Sequence, residues 1–355
     1  MKTDRFWAAL CVLMFMVFLL VSASKAETYR IVEKQGDKEL KIGFSFDTFV
    51  LERWTRDRDV FVSTARKLGA SVDIKNANGD ISKQREHVRR FIEEDMDVIV
   101  IIAVDCFSLG DLVEQAKNKG IDVISYDRLI QNVATDLYIT VDSASVGKEM
   151  ARILIEYLPE GGDVVMICGP EMDSNSAEVV RGFETGIKGS NLKVVSKSCV
   201  ESWAPEQGFK VATEVVQNVG HIDAIMCGND GLARYVVRAL SERKMAGKVL
   251  VIGQDADVEA CQRIVEGTQL MTVYKPIDQL AKTAAECAVK FAKVEKIVGT
   301  DIGRLDLIKT SDGWEVPYWG LKPIAVTKEN MDEIVIDTGF HLREEVYMNV
   351  TGQEN

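Results

Sequence analysis

The chain has 355 residues, 46% of them apolar and 28% charged, with a formal net charge of −12. At roughly 100–200 residues per domain this is room for about two domains with a core that needs no staples. The acidic balance and the lack of a basic run argue against nucleic-acid binding, because phosphate neutralisation needs clustered Lys and Arg. Lys2 and Arg5 precede an apolar run from Trp7 to Val21, and Ser24-Lys25-Ala26 puts small residues where a signal peptidase reads. Residues 1–26 therefore read as a secretory signal cleaved after about Ala26. The rival reading is an uncleaved anchor, for which the run is short against the roughly 20 residues of a membrane span.

From Lys41 onward, apolar runs alternate with amphipathic stretches. Strands are expected at 41–46, 71–77, 97–103, 121–126 and 137–142, with helices at 52–68, 81–93, 107–119 and 145–158. The series restarts with strands at 163–169, 192–200, 223–228, 248–254 and 269–275, separated by helices at 174–188, 206–218, 231–243 and 257–266. Helix 277–295 follows, and a last strand with a short helix is expected in 324–336. Strands made almost wholly of Val, Ile and Leu are covered on both faces, as in parallel sheets flanked by helices. The break near 141–147 divides the chain into two doubly wound α/β lobes.

In such sheets ligands lie beyond the carboxyl ends of the strands. The residues there are polar: Asp47, Asp105, Asp127-Arg128, Asp173, Asn175, Asn229-Asp230, Asp255 and Asp257, with Trp54 and Trp203 close by. Carboxylates and amides accept hydrogen bonds from hydroxyls, Arg and Lys donate to them, and indole faces cover C–H surfaces, so the set suits a neutral polyol. Each Asp or Asn is equally a candidate helix cap, with Asp105 and Asp257 leaning to that role, and either Trp has a packing alternative. No P-loop, GxGxxG or GxSxG is present. With only His87, His221 and His341, histidine catalysis and a zinc site are disfavoured. NANGD (76–80) fails as a calcium loop, since Ile74 and Arg85 fall on its terminal ligand positions. The cysteines after the leader (Cys106, Cys168, Cys199, Cys227, Cys261 and Cys287) read as buried free thiols, although export permits disulfides.

The segments KIGFSFDTFVLERWTRDRDVF (41–61), NANGD (76–80), DVIVIIAVD (97–105), ISYDRLI (124–130), GNDGLA (228–233), GQDADVEACQRI (253–264) and GTQLMTVYKPI (267–277) resemble the periplasmic sugar-binding proteins of bacterial ABC importers, closest to their D-xylose-binding branch. The likeness spans about 41–341; the loop Pro170-Glu171-Met172 and the six cysteines depart from the family's pattern. The resemblance implies a type I periplasmic binding protein fold with three crossings as a hinge. It implies an N-terminal lobe of 40–142 plus 277–295 and a C-terminal lobe of 143–275 plus 324–336. Sugar contacts are implied at Arg53, Trp54, Asp127, Arg128, Asp173, Asn175, Trp203, Asn229, Asp255 and Lys275, with the two indoles flanking the ring. The function implied is periplasmic capture of a monosaccharide, D-xylose first, by a monomer that delivers it to a membrane permease, with no cofactor, metal or catalysis. The alternatives are a membrane-anchored sugar sensor, or another pentose or glucose as ligand.

Overall fold

The computed structural model describes residues 39–350 apart from 204, 219 and 295–304; the expected leader, 1–26, lies outside the described residues. The first half of the chain runs β1 (Leu40–Phe46), α1 (Glu52–Lys67), β2 (Ala70–Asn76), α2 (Ile81–Glu93), β3 (Val98–Ile101), α3 (Gly110–Asn118), β4 (Asp122–Tyr126) and β5 (Leu137–Val141). The second runs α4 (Ser143–Tyr157), β6 (Gly162–Cys168), α5 (Ser174–Gly186), β7 (Leu192–Cys199), α6 (Pro205–Asn218), β8 (Ala224–Cys227), α7 (Asp230–Glu242), β9 (Leu250–Ile252), α8 (Val258–Glu266) and β10 (Thr272–Tyr274). The tail holds α9 (Ile277–Ala292), β11 (Asp306–Lys309), β12 (Glu315–Leu321), β13 (Ile324–Val326) and the short α10 (Arg343–Val346).

Two sheets result, parallel except where β11 pairs antiparallel with β12. The first has the order β11-β12-β5-β4-β3-β1-β2 and the second β7-β6-β8-β9. β10 continues the second sheet through a parallel bridge from Met271 to Ile252, and β13 closes on β10 antiparallel. The strand order reverses between β1 and β3 and between β6 and β8, which opens a crevice at the carboxyl edge of each sheet. β3, β4 and β5 are almost wholly buried, as their apolar runs predict. β7 is not: it is the outer strand of its sheet, so Lys193, Val194 and Val195 are exposed.

The sequence places no element between 297 and 323, yet the hairpin β11–β12 extends the first sheet there, with Tyr318 to Leu321 parallel to Tyr138 to Val141. β11 has only four residues, and β12 carries Pro317 and Gly320 inside it, so neither shows a regular strand pattern. In 324–336 the expected strand is β13, but the helix is a 3-10 turn followed by a π turn at Asp332–Ile336. The chain passes between the sheets three times: after β5, before α9, and from β12 to β13. Two of these passages touch, Asp142 N donating to Leu321 O at 2.8 Å. α9 returns to pack on α1 and across β1, β3, β4 and β5.

α4 and α5 lie against each other at backbone distance. A Cβ on Gly147 would sit 2.0 Å from Val179 O, and one on Gly182 2.0 Å from Ala144 O. Only glycine fits either position, and the contact fixes α5, whose first turn faces the crevice.

Candidate functional site

Where the carboxyl edges of the two sheets meet, a narrow cavity is lined by all ten of the implied sugar contacts. The first sheet supplies Arg53, Trp54, Asp127 and Arg128, and the second supplies Asp173, Asn175, Trp203, Asn229, Asp255 and Lys275. Asp105 stays out of it, but it is not the helix cap expected: Leu109 holds the N-cap position of α3, and the Asp105 carboxylate accepts from Phe107 N at 2.8 Å within its own loop. Asp257 occupies the N-cap position of α8, although its side chain makes no capping bond there.

On the first wall, the two guanidinium groups are held from behind. Arg53 is buried in α1, and its Nε donates to Asp57, one helical turn on, at 3.3 Å. Its other edge lies 2.9 Å from Asp127. Arg128 donates to Asp47 Oδ2 and to Ala103 O, both at 2.7 Å, and lies 2.8 Å from Asp173 across the cavity. Burial works against both cations, but the carboxylates outweigh it and both pKa values rise, through Asp127 and Asp57 for Arg53 and through Asp173 and Asp47 for Arg128. Asp127 is held below its ordinary value: burial alone would raise it, and Arg53, Lys275 and Arg128 reverse the sign. Its φ of 64° is left-handed, a conformation locked by Thr140 Oγ1 and Tyr138 Oη donating to its carbonyl at 2.8 and 3.1 Å. The Arg53 guanidinium stacks 4.2 Å from the centre of the fully buried Trp54 ring.

On the second wall the polar groups also build the scaffold. Asp173 caps α5 by accepting from Asn175 N at 3.0 Å, and its other oxygen accepts from Trp203 Nε1 at 3.0 Å. Burial raises its pKa, against the pull of Arg128. Asn229 caps α7 through Leu232 N at 2.9 Å. Capping and lining the cavity are thus not exclusive here. Asp255, paired with Lys275 at 2.8 Å, is no cap; it sits in a turn where Asp255 and Ala256 have φ of 102° and 54°. Two consecutive left-handed non-glycine residues are costly and persist only where surroundings impose them. Thr272 Oγ1 accepts from Ala256 N at 3.1 Å, Asp230 accepts from Asp257 N at 3.2 Å and from Thr272 at 2.6 Å, and His341 Nε2 donates to Ala256 O at 2.7 Å. Burial pushes Asp230 up to about 7.

Sequence reasoning passed over several of these groups. Asp57 holds Arg53, and Gln254 and Ser176 line the cavity themselves; Asp230, read only as a strand-end candidate, instead braces the turn after Asp255. The signal for Asp57 is its spacing: four residues after Arg53, it shares that residue's helix face. His341 reads as an isolated tail residue, and nothing local reveals that it folds back 85 positions to Ala256. Trp54 Nε1, Ser176 Oγ and Gln254 Oε1 are buried without a hydrogen-bond partner, and all three line this one cavity. Buried polar atoms normally have partners, so their concentration here marks a place for a polar ligand. No cluster of His, Cys, Asp and Glu among the described residues has the arrangement of a metal site.

Walls from both sheets meet directly at the rim. Asn175 Nδ2 donates to Asp127 at 2.7 Å, Leu129 N to Ser174 Oγ at 2.9 Å, and Cys106 N to Met172 O at 3.2 Å. A cavity between two α/β sheets, walled by ion-paired side chains and indoles, is the site of a ligand-capturing protein. The chain belongs to the periplasmic binding protein family: the family model for the periplasmic binding protein domain matches residues 42–296. It is a family of binding proteins and not of enzymes, with the type I fold. Among curated relatives, the D-xylose-binding periplasmic protein of Haemophilus influenzae is 40% identical over 87% of this chain and 93% of its own length. That of Escherichia coli is 37% identical with the same coverage. Among solved structures, an ABC transporter solute binding protein from Clostridium phytofermentans with bound β-D-glucose matches at 25% identity and a TM-score of 0.77, covering 86% of this chain and 99% of its own.

Proposed function

We propose that the protein is the exported substrate-binding component of an ABC sugar importer and that its ligand is a monosaccharide, D-xylose, held in the cavity by the ten residues above. The observation that carries the reading is the cavity's polar composition. Three cations (Arg53, Arg128, Lys275) are each ion-paired with a carboxylate lining the cavity (Asp127, Asp173, Asp255), so the lining offers charged donors and acceptors without a lone charge that calls for a counter-ion. A neutral ligand is gripped by charge-assisted hydrogen bonds to its hydroxyls. Three buried polar atoms stand ready to bond it as well. The names of the two relatives at 37–40% identity support xylose over other sugars.

Residues 40–142 with 277–295, and 143–275 with 324–336, act as two lobes. Their direct bonds at the rim describe the approached arrangement, and a ligand that touches both walls shifts the population toward it. The protein acts as a monomer in the periplasm after loss of residues 1–26, and presents the closed form to a membrane permease.

Titration calorimetry against D-xylose, L-arabinose, D-ribose, D-glucose and D-galactose tests the proposal. Xylose is expected to bind tightest, with a micromolar or lower constant, equivalent to about −8 kcal/mol or better. No heat with xylose alongside tight binding of another sugar rejects the xylose assignment, and no binding of any of them rejects the sugar-binding role.

A further inference from the structure

Among the described cysteines, Cys199 alone is exposed, which corrects the expectation of six buried thiols. Cys199 ends β7 and Cys168 ends β6, and the two are matched in register on neighbouring parallel strands. A bulge makes the match. Val164 stands opposite Val194 but Val165 opposite Ser196, so Val195 is the extra residue. Beyond it Met166 faces Lys197 and Cys168 faces Cys199; unbulged, Cys168 would meet Ser198. A one-residue slip exchanges the faces of a strand, and the bulge thus turns Lys197 and Cys199 to the side of Met166 and Cys168. The pair from Lys197 to Glu184 of α5, at 3.1 Å, confirms that this face looks onto α5.

We propose that Cys168 and Cys199 are a disulfide-forming pair, closed by a small-molecule or protein disulfide in an oxidising compartment. Neighbouring parallel strands lie about 4.8 Å apart, inside the Cα separation of about 4.4–6.8 Å that disulfides span. Burial, then the neighbouring Cys199 sulfur, push the Cys168 thiol up to about 12, while Cys199 is exposed. Cys199 is therefore the accessible attacking sulfur. Its thiolate displaces one sulfur of the oxidant's disulfide as a thiolate and forms a mixed disulfide. The Cys168 sulfur then attacks Cys199 and releases the second. Two protein thiols lose two electrons and two protons, and the oxidant becomes two thiols.

The bridge fastens the root of the second wall. The loop after Cys168 leads to Asp173 and the loop after Cys199 to Trp203, which are bonded to each other at 3.0 Å, and Val200 N donates to Cys168 O at 3.1 Å.

The test uses the purified, fully reduced chain, so its outcome does not depend on whether the protein is exported or what it binds. It is incubated with oxidised glutathione, alkylated, and mapped by peptide mass spectrometry without reduction. The expected result is a peptide pair joined through Cys168 and Cys199, absent from the Cys199→Ser and Cys168→Ser variants, with a melting temperature that falls on adding dithiothreitol in the wild type only. Alkylation of both cysteines, a stable glutathione adduct on Cys199, or a Cys199–Cys199 link between two molecules would overturn the proposal.

Discussion

The two walls of the cavity hold their polar groups by different means. On the first, Arg53 and Arg128 are fixed by carboxylates lying behind them, Asp57 and Asp47, that build no helix or turn. On the second, Asp173 and Asn229 are caps of α5 and α7, and Asp255 rides on a left-handed turn braced by Asp230, Thr272 and His341. Substitutions on the first wall therefore act by stranding buried charge, while those on the second act through the caps and turns that the polar groups build.

The largest effect is expected for Arg128→Met. It strands Asp47 and Asp173 as buried carboxylates without their cation. Removing one partner of a buried ion pair costs about 3–5 kcal/mol, so urea denaturation should show a loss of that order and calorimetry no measurable sugar binding. A stable, xylose-binding variant would mean that the two carboxylates are protonated or hydrated and that the charge account of this wall is wrong.

Next come Trp203→Ala and Trp54→Ala, each expected to weaken xylose binding by about 1–3 kcal/mol, the scale of one large buried side chain. They sharpen the comparison because Trp203 also donates to the cap residue Asp173. Its loss should lower the melting temperature of the second wall as well, detectable as faster amide exchange in α5. Wild-type affinity in both variants would reduce the indoles to packing.

Asn229→Ala separates cap from contact. Losing the cap alone costs about 1 kcal/mol of stability. An affinity loss beyond that, measured by calorimetry at a temperature where the variant is folded, identifies a second role at the same atom group. Unchanged affinity leaves Asn229 a cap only.

The smallest effect is on pH. Burial pushes Asp57 up to about 6, against Arg53 and Tyr126. Above that pH it is ionised and orients Arg53; below it the pairing is lost. Xylose affinity should weaken by about 1 kcal/mol, the size of one hydrogen bond, as pH falls through 6, and the Asp57→Asn variant should show no such step. Because the folded-state pKa is raised, this group's contribution to stability runs the other way, increasing as pH falls from about 6 toward its unfolded value. Arg53, Tyr126, Asp127 and Asp255 face the same cluster, so the step is read as the difference between wild type and variant. An identical pH profile in both would remove Asp57 from the account.

The strand ends were legible because apolar runs such as DVIVIIA and DVVMICG stop abruptly at polar residues, and the chemistry of a crevice concentrates there. The residues behind them were not. Asp57 lies inside a helix, Asp230 reads as one more strand-end cap, and His341 comes from a tail whose partner is remote in sequence. The hairpin β11–β12 escaped for the same reason: its strands are defined by pairing with β5 and not by their own pattern. Cys199 differs from Cys168 and Cys227, which end buried apolar strands, because its own strand lies at the edge of the sheet.

The measurement that tests the central claim most directly is a crystal structure of the protein grown with D-xylose. The account predicts one sugar in the cavity, contacted by Arg53, Asp127 and Arg128 from the first wall and by Asn229, Asp255 and Lys275 from the second, with the Trp54 and Trp203 rings on its two faces. Sugar bound outside this cavity, or held by one wall alone with the other wall swung away, would contradict it.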